Sequence, residues 1–85
     1  MGHAMSKSWK KPVVISIGEP PAETAIDTVQ AASWAMIEDW PLDDGPALDR
    51  ALLVCAGVIE GKRKADDARA AFVAAATEAG ILVQG

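Results

Sequence analysis

The chain offers almost nothing from which a catalytic centre is ordinarily built. Its 85 residues hold one histidine, His3, one cysteine, Cys55, no tyrosine and a single phenylalanine. A serine or cysteine nucleophile needs a base beside it, and the only imidazole lies in Met1–Met5, which reads as carry-over from an expression vector ahead of a natural start at Met5. A structural zinc site asks for four Cys or His ligands, which two such residues cannot supply. Lone Cys55 excludes an internal disulfide and, with no cleavable signal pattern at the start, favours a reducing cytoplasm. The longest apolar run, Ala51–Ile59, has nine residues, against the roughly 20 that span a bilayer; no membrane role is expected.

Positive charge is also scarce. Twelve acids against eight bases give a net charge of -4, so nucleic acid is a disfavoured partner unless the bases cluster. Two short clusters exist, Lys7/Lys10/Lys11 and Lys62/Arg63/Lys64, and both read first as solvated surface. Gly57–Lys62 approaches a phosphate-binding loop but has one residue too few between its glycines, lacks the hydroxyl residue after lysine, and falls at the end of a helix rather than its start. Glu38, Asp39, Asp43 and Asp44 could offer oxygen to a hard cation, yet they lack the spacing of a ligand loop, and helix capping explains them better. No cofactor is implied.

What the chain does have is 51% hydrophobic residues arranged in clear periods. Residues 6–11 form a polar, basic, flexible lead-in, with Trp9 free to pack beside the first strand. Pro12 opens the single domain, 12–85. Val13–Ile17 is β-branched and reads as a strand, with Val13, Ile15 and Ile17 on one face. Gly18-Glu19-Pro20-Pro21 is turn chemistry, and Ala22–Asp27 is assigned to the return strand of a hairpin in preference to an early helix. Thr28 then caps a helix with Val29, Ala32, Met36, Ile37 and Trp40 on its apolar stripe; Trp34 lies off that stripe, and Pro41 ends the helix. A second helix begins at Pro46, capped by Asp43 or Asp44, with Leu48, Ala51, Leu52, Cys55 and Ile59 on one face and Val58 beside it. In the third, Asp66 and Asp67 favour the positive helix end, small alanines allow close approach on two sides, Gly80 stops the helix, and Ile81–Val83 follows as a short strand. The sum is a small α+β domain: an N-terminal β-hairpin, three helices and a short C-terminal strand.

Lys11-Pro12-Val13-Val14, Trp40-Pro41, Cys55 followed by Gly61, and above all Ala68-Arg69-Ala70-Ala71-Phe72 with Ala75-Ala76 and Glu78-Ala79-Gly80-Ile81 resemble the small bacterial proteins grouped as domain of unknown function 982. The resemblance implies a fold of this size in a bacterial cytoplasm and brings no activity, cofactor or catalytic residue.

Two residues stand out as candidates for partner contact. Trp34 is either part of a widened core or an exposed aromatic anchor of the kind enriched at binding hot spots. Arg69, between alanines, could bind a partner's carboxylate, although local pairing with Asp66 or a stem laid over apolar neighbours is the simpler role. The sequence thus points to a non-enzymatic interaction module whose partner is an unidentified protein or, in a homodimer, a second copy. The alternative is a small-molecule sensor or minor enzyme with a pocket between helices and sheet.

Overall fold

A computed structural model describes residues 8–85, so Met1–Met5, His3 and the first part of the lead-in lie outside the described residues. The elements are β1 (Ser8–Ile17), β2 (Ala22–Thr28), α1 (Val29–Glu38), α2 (Pro46–Ile59), α3 (Ala65–Ala79) and β3 (Leu82–Gln84). This is the α+β order that the sequence periods describe, and the hairpin assignment of Ala22–Asp27 holds. The strands form one antiparallel sheet in the order β2-β1-β3. Val13 lies opposite Ile26, and Ile15 lies between Thr24 and Leu82. Strand alternation therefore collects Val13, Ile15 and Ile26 on the face that the helices cover, where all three are buried.

β1 begins at Ser8, five residues before the expected Val13, so Ser8–Lys11 belongs to the strand rather than to a loose lead-in. Trp9 is the reason. Its ring is buried against Phe72, with centroids 5.7 Å apart, and its indole N–H donates to the Ala65 carbonyl at 3.0 Å. Holding that ring at the start of α3 carries the chain back into register, Ser8 opposite Thr28, across an irregularity that leaves Lys10, Lys11 and Pro12 exposed.

Thr28 caps α1, its hydroxyl oxygen accepting the Ala31 N–H at 3.0 Å. The buried face of α1 is Val29, Ala32, Ala35 and Met36; Ile37, expected among them, is exposed, because the arc from Val29 to Ala35 is already closed by the sheet and by α2. The helix stops at Glu38, and Trp40 turns inward onto Phe72 with centroids 5.5 Å apart.

α2 begins at Pro46 as expected, but neither Asp43 nor Asp44 caps it. Gly45 takes the cap position without a side chain, and the Ala47 and Leu48 N–H groups donate to Glu78 Oε2 and Oε1, each at 3.1 Å. A carboxylate from α3 therefore meets the positive end of α2, and a Cβ at Gly45 would run into it. The buried face is also rotated from the expected one. Leu48, Ala51 and Cys55 are buried as read, but Val54 and Val58 join them, while Leu52 is half-buried and Ile59 exposed. The rotation follows from where α2 packs: against α3 along its length and α1 at its side.

α3 touches α2, β1, β3 and α1, and buries Ala68, Ala71, Phe72, Ala75 and Ala76. Alanine at four of those five positions is what lets the neighbours approach. Both α2 and α3 end on a left-handed glycine, Gly61 and Gly80. In α3 the Ile81 N–H reaches back to the Ala76 carbonyl at 3.0 Å and the Gly80 N–H to Thr77 at 3.1 Å, a Schellman turn. The Ile81 carbonyl then accepts the Ser16 N–H at 2.9 Å, which delivers β3 to the edge of β1.

Candidate functional site

The most distinctive run of the sequence is engaged in holding the fold. Arg69 donates from Nε to the Lys11 carbonyl at 2.9 Å, a contact across 58 residues, in place of the expected pairing with Asp66. Lys62–Glu60 at 3.5 Å is the ion pair found among the described residues. The guanidinium thus pins α3 to the start of the sheet, with Nη2 buried and without a hydrogen-bond partner. Phe72 sits between two tryptophans, Ala75 and Ala76 are fully buried, Glu78 caps α2, and Gly80 turns the chain. Each has a mechanical task.

Cys55 lies in the core of α2, and burial pushes its thiol up from its ordinary pKa, with the nearby Ser33 hydroxyl pulling the other way. A thiol kept protonated and covered is a poor nucleophile. We expect Cys55 to react with a thiol reagent at pH 8 more than a hundredfold more slowly in native protein than in guanidinium. A linked effect follows for stability. The unfolded chain ionises its thiol first as pH rises, so the contribution is complete below roughly pH 8.5 and declines above it, which urea titrations at pH 8 and 10 would register.

Two open clefts flank the helices. One of about 560 Å³ lies between the hairpin turn and the end of α1, walled by Ile17, Trp40 and Ile81 with Glu19, Glu38 and Asp39 at its edge. The Trp40 indole N–H is buried there without a partner. Another, of about 290 Å³, separates α2 from α3 and is lined mainly by alanines, Val54, Arg50, Arg63 and Asp67. Among the described residues no group of three His, Cys, Asp or Glu is close enough to share a metal ion, so the fold does not gather Glu38, Asp39, Asp43 and Asp44 into a ligand set. Among the described residues no helix is long and apolar enough to cross a membrane.

The conspicuous surface feature is apolar. Trp34 is 57% exposed and Ile37 66% on α1; Leu53 is 74% exposed and Ile59 51% on α2. Among the described residues these are four of the five exposed large hydrophobic side chains, the fifth being Val83 on β3. Helical spacing places Trp34 opposite the buried face of α1 and Leu53 opposite that of α2. The two helices pack together, with Ser33 beside Cys55. Ile37 stands one turn beyond Ser33 and Ile59 one turn beyond Cys55; because α1 and α2 run in opposite directions, these two lie toward opposite ends of the helix pair, with Trp34 and Leu53 between them along its axis. Sequence reading singled out Trp34 and missed the other three. The signal was present: Ala51–Ile59 carries no charged or polar side chain around more than two turns of helix, so some of its apolar residues have to face outward.

Comparison with known proteins adds lineage. No curated protein matches the chain. The NMR structure of the Agrobacterium tumefaciens protein Atu1219 is similar over 100% of this chain and 85% of its own, at 29% identity and a TM-score of 0.76. A family model described as a protein of unknown function, DUF982, matches residues 11–83. That span runs from the carbonyl that holds Arg69 to the strand that follows Gly80, with β2 and all three helices inside it, and the chain belongs to the DUF982 family.

Proposed function

We propose that this protein is a non-enzymatic protein-interaction module whose docking face is the outer side of α1 and α2, centred on Trp34. The observation that carries the reading is the exposure of four large hydrophobic residues, an indole among them, on one packed pair of helices, in a domain whose core is otherwise well sealed. Grouped apolar surface on a small protein marks a place of contact, and tryptophan is enriched where binding energy concentrates. Arg69 lies on α3, away from this face, and supports it by fixing α3 to β1. A bacterial cytoplasm is the setting we assign, from family and from a lone, covered thiol.

The test compares wild type with Trp34→Glu in a pull-down from the native host and in light scattering. Because the side chain is exposed, the substitution should leave stability within about 0.5 kcal/mol while removing association. Equal association by both proteins, or none by wild type, would refute the reading. A second reading, a small-molecule sensor, draws on the unpartnered Trp40 N–H at the wall of the cleft between the hairpin turn and α1; a metabolite that raises the melting temperature of wild type would favour it.

A further inference from the structure

This inference rests on the docking face proposed above and concerns what covers it. β1, α1 and α3 all run the same way. At one end Ser8 faces Thr28, and Trp9 donates to the Ala65 carbonyl at the head of α3. At the other, the hairpin turn, the end of α1 and Ile81 share one cleft. α2 runs back between these ends, from Glu78 at its start to Arg63, whose stem would meet a Cβ at Gly57 near its finish.

This topology sorts the charges. The turn end gathers Glu19 and Glu23 from the hairpin, Glu38 and Asp39 from α1, Asp43 and Asp44 from the following loop, and Glu78 from α3, and the head of α2 beside Glu78 adds the neighbours Asp49 and Arg50. The opposite end gathers Lys10 and Lys11 from β1, Lys62, Arg63 and Lys64 from the α2–α3 connection, and Arg69. Interleaved with these are Asp27, Glu60, Asp66 and Asp67. These seven carboxylates make one end -7; six bases against four acids make the other +2. Asp49 and Arg50 cancel near the head of α2. The ion pair present, Lys62–Glu60, belongs to the mixed end, so nothing within the described chain neutralises the acidic one through a salt bridge.

Trp34 and Leu53 sit near the middle of their helices, between these two poles. A surface that is apolar at its centre and opposite in charge at its ends is complementary to itself when turned end for end. Closed pairs of identical chains meet through a two-fold axis, which places the same patch on both sides. With long axes parallel, that axis would set one seven-carboxylate end beside another. With long axes opposed, it sets each acidic end beside the partner's lysines. We infer that the Trp34 face is covered by a second copy of this chain, antiparallel to the first. A standard interface takes about 800 Å² from each partner, a modest fraction of the 5158 Å² that this chain exposes.

Pulsed dipolar electron resonance with one nitroxide per chain, at Glu19→Cys or Lys62→Cys, tests the arrangement, with dimer formation followed by sedimentation equilibrium. Cys55 is buried and stays unlabelled. The ten residues of β1 span about 30 Å, so two Glu19→Cys labels should lie more than about 30 Å apart. A mixture of the two labelled proteins should add a distinctly shorter distance between unlike sites. Trp34→Glu should weaken the dimer at least tenfold. A dimer that needs Trp34 but gives a short distance between Glu19→Cys labels overturns the antiparallel arrangement and leaves the docking face standing. A monomer at millimolar concentration overturns the second copy as occupant, and the pull-down then decides the face on its own. A dimer indifferent to Trp34→Glu overturns both.

Discussion

Phe72→Ala is expected to lower stability by about 3–5 kcal/mol, the range for removing a large aromatic from a closed core. Phe72 is the largest fully buried side chain, and the Trp9 and Trp40 rings pack on it at 5.7 and 5.5 Å. Both tryptophans would face a hole that neither can fill, because Trp9 is tethered through its indole N–H to the Ala65 carbonyl. Folded domains hold roughly 0.05–0.15 kcal/mol per residue, so a chain of this length would lose about a quarter or more of its stability. At about 4–8 °C per kcal/mol, the melting temperature should fall by more than about 12 °C. The near-ultraviolet circular dichroism of the tryptophans should collapse with it. A variant that melts within a few degrees of wild type would show that the three-ring cluster is not the keystone of the core.

The second large effect comes from adding volume. Ala75 is fully buried on α3, where α2 and the sheet approach from two sides, and Ala75→Leu should cost about 1–3 kcal/mol through overpacking. Ala74, the preceding residue of the same helix, is exposed and provides the control: Ala74→Leu adds the same atoms and should change stability by no more than about 0.5 kcal/mol. Equal melting temperatures for the two variants would mean that α3 is not enclosed as described.

How far the sequence could be read depended on how local each cause was. The hairpin, the Thr28 cap, the Pro46 start and the Gly80 stop are set by residues within a turn of where they act, and all were legible. The cap of α2 was not, because the carboxylate that supplies it comes from Glu78, about thirty positions further along. Arg69 was read against Asp66 on its own helix, whereas its acceptor belongs to Lys11. The lead-in looked loose from its lysines, and only the tertiary contact of Trp9 with Phe72 and Ala65 makes it a strand. For the candidate surface, periodicity removed Trp34 from the stripe of α1 but could not decide between core and solvent. On α2 an unbroken apolar run left the stripe free to rotate, and packing against α3 chose Val54 and Val58 over Leu52 and Ile59.

Glu78 couples distant parts of the chain in a way that bears on how the protein comes to be made. α2 is translated well before the carboxylate that completes its first turn, and Gly45 gives it no substitute. While Glu78 is still inside the ribosome, two amides of that helix have only water to donate to, and its first turn settles only when the end of α3 arrives. A nonsense codon at position 78 would therefore also loosen a helix that begins at Pro46.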